Sequence, residues 1–206
     1  RSNDWHVSNC EVRGNGGNGI DHSSANRGSI NMDATKVHHN AGHGWALDRT
    51  GVIICNSLFY RNGGSGVNQD SNSGLAQVRN CTFYGNTGDG WTIFDNSGRN
   101  PVTMINNTFV ANGGYGLRSQ NTNRNPVMVS HNHHYLNTSG STDVTDALGV
   151  DLITGDPLFT STTDGSEDFA PTASSPLIDA GPIGMTIGAI PLVAGGGGGG
   201  TVGFAL

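Results

Sequence analysis

Positive charge is scarce in this chain. Its 206 residues hold one lysine, Lys36, and nine arginines against 16 acidic side chains, for a formal net charge of −6. There is no basic run, so the electrostatic footprint of a nucleic-acid binder is missing. Long apolar runs are missing too, and no membrane span or signal peptide is predicted. Cysteine is limited to Cys10, Cys55 and Cys81, an odd number without metal-ligand spacing. That pattern excludes a disulfide framework and reads as free, mostly buried thiols. Only 34% of residues are apolar and 13% charged, too few to build a thick globular core. The chain has no initiator methionine and opens at Arg1 inside a repeating pattern, so we expect the C-terminal part of a longer protein.

What is abundant is glycine, with 33 residues, and asparagine, with 23, none of them after Asn137. Both recur in register. Asn15-Gly-Gly-Asn-Gly-Ile20 returns as Asn40-Ala-Gly-His-Gly-Trp45, Asn62-Gly-Gly-Ser-Gly-Val67, Asn86-Thr-Gly-Asp-Gly-Trp91 and Asn112-Gly-Gly-Tyr-Gly-Leu117, with a decayed copy at Asn137. The lead asparagines are 25, 22, 24, 26 and 25 residues apart. A fixed period in this range is the signature of a solenoid, in which each coil buries its inner face against its neighbours.

Counted from each lead asparagine, three sets of columns are apolar. Ten and eight residues upstream they run Trp5, Ile30, Val52, Ala76, Val102, Val127 and Val7, Met32, Ile54, Val78, Met104, Val129. Three upstream they run Val12, Val37, Phe59, Phe83, Phe109 and His134; five downstream, Ile20, Trp45, Val67, Trp91 and Leu117. Three short strands per turn predict a triangular coil. Asparagines six upstream (Asn9, Asn56, Asn80, Asn106) are expected to form an inward ladder, broken at Ala34 and His131, so that sequons at Asn80 and Asn106 would be unmodified; a third sequon sits at Asn137. The turn glycines are expected to supply positive φ.

At these repeats, typified by Met104-Ile-Asn-Asn-Thr-Phe109-Val-Ala-Asn112-Gly-Gly-Tyr-Gly-Leu117, the chain resembles the parallel β-helix proteins of the pectin-lyase-like superfamily. The resemblance implies an all-β fold, a right-handed single-stranded parallel β-helix of about six coils of ~24 residues plus a C-terminal cap. It covers roughly residues 5–140 and is specific for fold but not for function, since that fold hosts lyases, hydrolases, epimerases and inert fibres. Residues 1–138 are read as coils, 139–192 as a terminal coil and closing cap, and 193–206 as a polyglycine linker and apolar tail. The Asp156-Pro-Leu-Phe159, Ser175-Pro-Leu-Ile-Asp-Ala-Gly181 and Ile187-Gly-Ala189 motifs resemble the segment that closes such helices in secreted bacterial and phage surface proteins. They are expected to hide the last apolar layer with Leu158, Phe159, Phe169, Leu177 and Ile178.

The strand after the glycine turn corresponds in the resembling family to the sheet that carries the active cleft. Its outward positions read Asp21, Ala46, Asn68, Thr92, Arg118 and, two further on, Ser23, Asp48, Asp70, Phe94, Gln120. Stacked at about 4.8 Å, Asp48 and Asp70 would repel without a cation or a shared proton. They are therefore either simply solvated, a candidate Ca²⁺ site, or an acid/base pair for glycoside chemistry. His43 is a candidate acid/base residue and Arg118 a candidate neutraliser of a sugar carboxylate, or base. The outward column Tyr60, Tyr84 and Tyr135 is expected to be exposed, and either meets sugar faces or a partner subunit or is ordinary cross-coil aromatic packing. Ile53, Cys55, Ile105 and Met128 form a candidate apolar patch for self-association, and the tail is a second candidate surface. Histidines cluster at His38-His39-Asn40-Ala-Gly-His43 and at His131-Asn-His133-His134; the second group alternates in and out along a strand and cannot all face one metal, which argues against a zinc site. The single Gly-Gly-x-Gly-x-Asp match to calcium β-rolls has the wrong period, and a glycine loop present in every coil is architecture rather than a phosphate site.

Two functions follow from these residues. One is an extracellular, cell-surface or virion β-helix of structural or adhesive type, meeting polysaccharide or cell-surface glycan, with no cofactor beyond candidate Ca²⁺. The other is a polysaccharide lyase or glycoside hydrolase built on Asp48, Asp70, His43 and Arg118.

Overall fold

The computed structural model describes residues 5–22, 28–48, 51–69, 74–94, 101–119, 127–143, 152–189 and the backbone of 147–148. Three parallel sheets run the length of the stack. The first joins Trp5–Ser8, Ser29–Asp33, Gly51–Cys55, Ala76–Arg79, Val102–Ile105, Val127–Ser130 and Ala147–Leu148. The second joins Glu11–Arg13, Lys36–His38, Leu58–Tyr60, Thr82–Tyr84, Thr108–Val110, Asn132–Tyr135 and Leu152–Ile153. The third joins Ile20–His22, Trp45–Leu47, Val67–Gln69, Trp91–Ile93, Tyr115–Ser119 and Gly140–Thr142. Equivalent residues of successive coils pair without slippage, as Ile20↔Trp45, Trp45↔Val67, Val67↔Trp91 and Trp91↔Leu117 show.

The apolar columns are the core. Ile30, Met32, Val37, Trp45, Ile54, Phe59, Val67, Phe83, Trp91, Met104, Phe109 and Leu117 are all buried in one continuous cluster. Aromatic side chains stack coil on coil, Phe59 on Phe83 at 5.3 Å and Phe83 on Phe109 at 4.8 Å between ring centroids, and such offset stacks add to the burial of the rings themselves. In the first coil the same columns are less covered, and Trp5 is 60% exposed. The cysteines are free, but only Cys81 is buried; Cys55 is half-buried and Cys10 exposed.

Two expectations about the turns are corrected. The buried ladder is made by the lead asparagines themselves: each Nδ2 donates to the next Oδ1, from Asn15 through Asn40, Asn62, Asn86 and Asn112 to Asn137, at 2.8–3.0 Å. Each of these Oδ1 atoms also accepts the backbone N–H of the preceding lead asparagine. The residues six upstream sit at corners with φ between 47° and 62°. Asparagine is favoured there because it tolerates the left-handed region. These side chains do form the expected ladder, Asn106 Nδ2 donating to Asn80 Oδ1 at 2.6 Å and Asn80 Nδ2 to Asn56 Oδ1 at 3.3 Å, but it is not inward throughout, since Asn80 is half-buried and Asn56 exposed. The glycines of the repeated turn, by contrast, are not among the positive-φ residues. They are glycine because coils touch there: a Cβ on Gly63 would overlap the Ala41 carbonyl oxygen, and one on Gly113 the Thr87 carbonyl oxygen.

A third correction concerns the closing segment. Among the described residues, Phe159 and Phe169 do not hide the last apolar layer; they lie on Tyr60 and Tyr84. After Leu152–Ile153 the chain returns along the outer face of the second sheet. The antiparallel hairpin of Phe159–Ser161 and Asp168–Pro171 sets Phe169 against Tyr60 and Tyr84 at 5.0 and 5.1 Å. Arg61 Nη2 donates to Thr162 O at 2.7 Å, Ala189 N to Thr82 Oγ1 at 3.1 Å, and Asn106 Nδ2 to Thr186 O at 2.9 Å. Leu158 stays 37% exposed, while Phe169 and Leu177 are buried. The tail 193–206 lies outside the described residues.

His134 continues the inward phenylalanine file and stacks on Phe109 at 4.8 Å. Burial is the main cause that pushes its pKa down to about 3. The folded ring is therefore neutral, while the unfolded ring takes a proton near its ordinary 6.5. The stability this confers is complete above that value and is lost as pH falls through the window towards about 3, roughly 2 kcal/mol by about pH 5. His134→Phe is expected to keep the stack and remove this loss. Urea midpoints at neutral and acidic pH check it; an unchanged acid sensitivity would contradict the assignment.

Candidate functional site on the third sheet

Along the outer face of the third sheet Asp21 is exposed, Ala46, Asn68 and Arg118 are half-buried and Thr92 is buried, whereas residues 159–189, the arm, lie against the outer face of the second. Strand register brings Asp21, Ala46, Asn68, Thr92 and Arg118 into one file. Asp21 is exposed and accepts from Asn18 Nδ2 at 3.2 Å. Asn68 is half-buried. Thr92 is buried and donates to Asp89 Oδ2 at 2.8 Å. Asp48 is half-buried, its backbone N donating to His22 O at 3.0 Å. Asp70, its expected stacking partner, lies outside the described residues, as do Ser23, Arg49, Asp95 and Gln120.

His43 and Arg118 are engaged in ways that sequence reasoning missed. Three residues after each lead asparagine a second ladder climbs the corner. Asn18 Oδ1 accepts from His43 N at 2.9 Å, His43 Nδ1 from Ser65 N at 2.9 Å, Ser65 Oγ from Asp89 N at 3.2 Å, and Asp89 Oδ1 from Tyr115 N at 2.7 Å. His43 is thus a neutral acceptor whose proton sits on Nε2, and burial lowers its pKa. The recurrence of a hydrogen-bonding side chain at this offset (Asn18, His43, Ser65, Asp89) was the available signal. Arg118 stands between two carboxylates, Nη1 3.8 Å from Asp89 Oδ2 and Nε 3.7 Å from Asp143 Oδ2, with its guanidinium carbon 6.0 Å from the Tyr115 ring centroid. Its charge is balanced by these two partners, and a guanidinium does not deprotonate to act as a base.

The tyrosine expectation is corrected. Tyr60 is 5% exposed, stacked on His38 at 4.3 Å, and desolvation pushes its hydroxyl up to about 12. Tyr84 is half-buried against Phe159 and Phe169; Tyr135 is half-buried beside His133. Tyr60 and Tyr84 pack the arm instead of presenting a free aromatic surface. The apolar patch is also interrupted: Ile53 pairs with Asn31 and Gln77, and Thr103 separates Gln77 from Met128.

One further cluster lies under the arm. His39, Asp164 and Glu167 bring metal-ligating atoms within 4.8 Å of one another. Arg61 Nε, however, is 2.8 Å from Glu167 Oε1 and 4.0 Å from Asp164 Oδ1, so an arginine already holds the cation's place. The histidines of the second group do not converge on one point either. His133 Nε2 donates to Gly155 O at 2.8 Å while His134 points into the core.

Comparison with known proteins gives the following. Residues 1–147 match the family described as "Right handed beta helix region". The structure is similar to the crystal structure of the periplasmic alginate epimerase AlgG, with 19% identity, TM-score 0.60, and coverage of 73% of this chain and 39% of that one. It is similar to pectate lyase Pel9A, with 21% identity, TM-score 0.51, and coverage of 88% of this chain and 69% of that one. This chain thus spans 39% of the epimerase's length. No curated protein matches the sequence.

Proposed function

The chain belongs to the right-handed β-helix family, and from that premise we propose that it is an extracellular or periplasmic module that contacts polysaccharide along the outer face of its third sheet. The observation that carries this reading is the coil-registered file of exposed Asp21 and half-buried Asn68 and Arg118, with half-buried Asp48 beside it, on a molecule whose second-sheet face is covered by its own arm. Polar groups repeated once per coil suit a ligand that is itself a repeat. The reading is non-catalytic because His43 is occupied in holding Ser65 N and Arg118 is balanced by Asp89 and Asp143.

An enzyme is the second reading, favoured by the structural likeness to an alginate epimerase and a pectate lyase. Here Asp48 would take the proton-transfer role, with Ca²⁺ as its candidate partner. The two are separated by incubating the protein with acidic and neutral polysaccharides, in Ca²⁺ and in chelator. Retention, chain length and sugar configuration are followed together. Retention with unaltered polymer is expected, and Asp21→Ala with Asn68→Ala should weaken it about tenfold, the loss of one or two polar contacts, at unchanged thermal unfolding. Turnover of the polymer would replace the first reading by the second, and retention unaffected by the double substitution would move the contact to another face.

A further inference from the structure

Four side chains running from the first coil to the arm form an unbroken file that glycan contact does not use. Glu11 Oε1 is 2.9 Å from His38 Nε2, His38 Nδ1 is 2.7 Å from His39 Nδ1, and His39 Nε2 is 2.8 Å from Asp164 Oδ1. Glu11 belongs to the first coil and the histidines to the second, while Asp164 sits at the tip of the arm's hairpin. Each contact requires one proton between its heavy atoms. Ionised carboxylates bring none, and a neutral imidazole brings one. Three contacts therefore need three nitrogen-bound protons, and two neutral imidazoles supply two.

We infer that His38 and His39 share one additional proton, and that this proton operates a clasp holding the hairpin tip to the second sheet. With it, all three contacts are made and the His39–Asp164 contact is charge-assisted, about twice the strength of a neutral one. Without it, one contact sets two lone pairs against each other and the pair loses its attraction for Asp164. His38 is fixed between Glu11 and the Tyr60 ring, which lies 4.3 Å away and nearly parallel. His39 is more exposed and is the member free to yield.

The charged surroundings are evenly matched. Arg13 Nε lies 3.6 Å from Glu11, and Lys36 shares the strand of His38. From the arm side come Asp164 and Glu167, the latter paired with Arg61. Arg61 grips the same hairpin through Glu167 and Thr162 O at any ordinary pH. Loss of the shared proton therefore loosens the tip and leaves the arm attached. The direction is set by the count: the clasp is complete while the pair is protonated and weakens as pH rises. The acid loss expected from His134 runs the other way, so the two effects cannot be confused.

Hydrogen exchange of residues 159–171, corrected for the intrinsic pH dependence of exchange, tests the clasp. Protection should fall about tenfold between about pH 5 and about pH 8, the worth of one hydrogen bond to a charged group. Asp164→Asn, an exposed change on the arm, and His39→Asn, which suits the φ of 53° there, should each make protection independent of pH. Imidazole nitrogen–proton NMR spectra should show three nitrogen-bound protons on the two rings at the lower pH and two at the higher. Equal protection at both pH values, the wild-type dependence persisting in Asp164→Asn, or two nitrogen-bound protons throughout would each overturn the inference.

Discussion

Asn86→Ala is expected to cost about 4 kcal/mol, because it strands three buried groups at about 1–3 kcal/mol each with partial relaxation. Asn86 Oδ1 accepts both Asn62 N at 3.1 Å and Asn62 Nδ2 at 2.9 Å, and its own Nδ2 donates to Phe59 O at 3.0 Å. Alanine removes all of these partners in a place water does not reach. The comparison is Asn56→Ala, at an exposed corner with φ 51°. It should cost about 1 kcal/mol, because alanine lacks the polar side chain that lets asparagine occupy the left-handed region, and the hydrogen bonds lost to Asp33 and Asn80 are exposed. Ala34 already occupies the equivalent corner at φ 47°. Urea unfolding followed by the fluorescence of the buried Trp45 and Trp91 measures both. Equal losses would mean that the lead-asparagine file is not what holds the coils in register.

The second large effect is Gly63→Ala, expected to cost about 3 kcal/mol or more, at the upper end of overpacking in a close-packed interior. Its Cβ would overlap the Ala41 carbonyl oxygen, a backbone atom. The clash cannot be relieved without parting Gly63 N from Asn40 O, which are 2.8 Å apart. Gly16→Ala is the control. The same repeat position in the first coil has nothing within 4 Å of the added carbon, so the change should stay within about 0.5 kcal/mol. If positive φ were the reason for these glycines, both would suffer alike. A difference confined to Gly63 assigns the requirement to close approach of coils.

The sequence made the three inward files legible because burial repeats with the coil. One aligned column is one stack, and the outward file from Asp21 to Arg118 came with it. The roles of these residues were less legible, because column position says which way a side chain points and not what it finds there. His43 and Arg118 find backbone and carboxylate partners within their own protein. Tyr60 and Tyr84 point outward as expected, but onto a segment more than seventy residues later in the chain. Nothing periodic announces that return: Phe159 and Phe169 lie beyond the last lead asparagine, and their destination depends on one reversal of the chain. One recurrence in the repeat alignment was available and unread. Arg27, Arg49, Arg99 and Arg124, four of the nine arginines, each stand 13 residues before a lead asparagine. All four lie outside the described residues.

The lead-asparagine file has one further consequence. Along it each amide oxygen points towards the N-terminal coil and one N–H of each amide towards the C-terminal coil, the second N–H going to a carbonyl of the preceding coil from Asn40 onward. Strand dipoles in a sheet largely cancel, whereas these side-chain dipoles all add. An all-β molecule thereby carries along its axis the kind of aligned amide array that gives an α-helix its macrodipole. The positive pole lies at the C-terminal end of the file, and an anion meeting the two ends of the stack would distinguish between them.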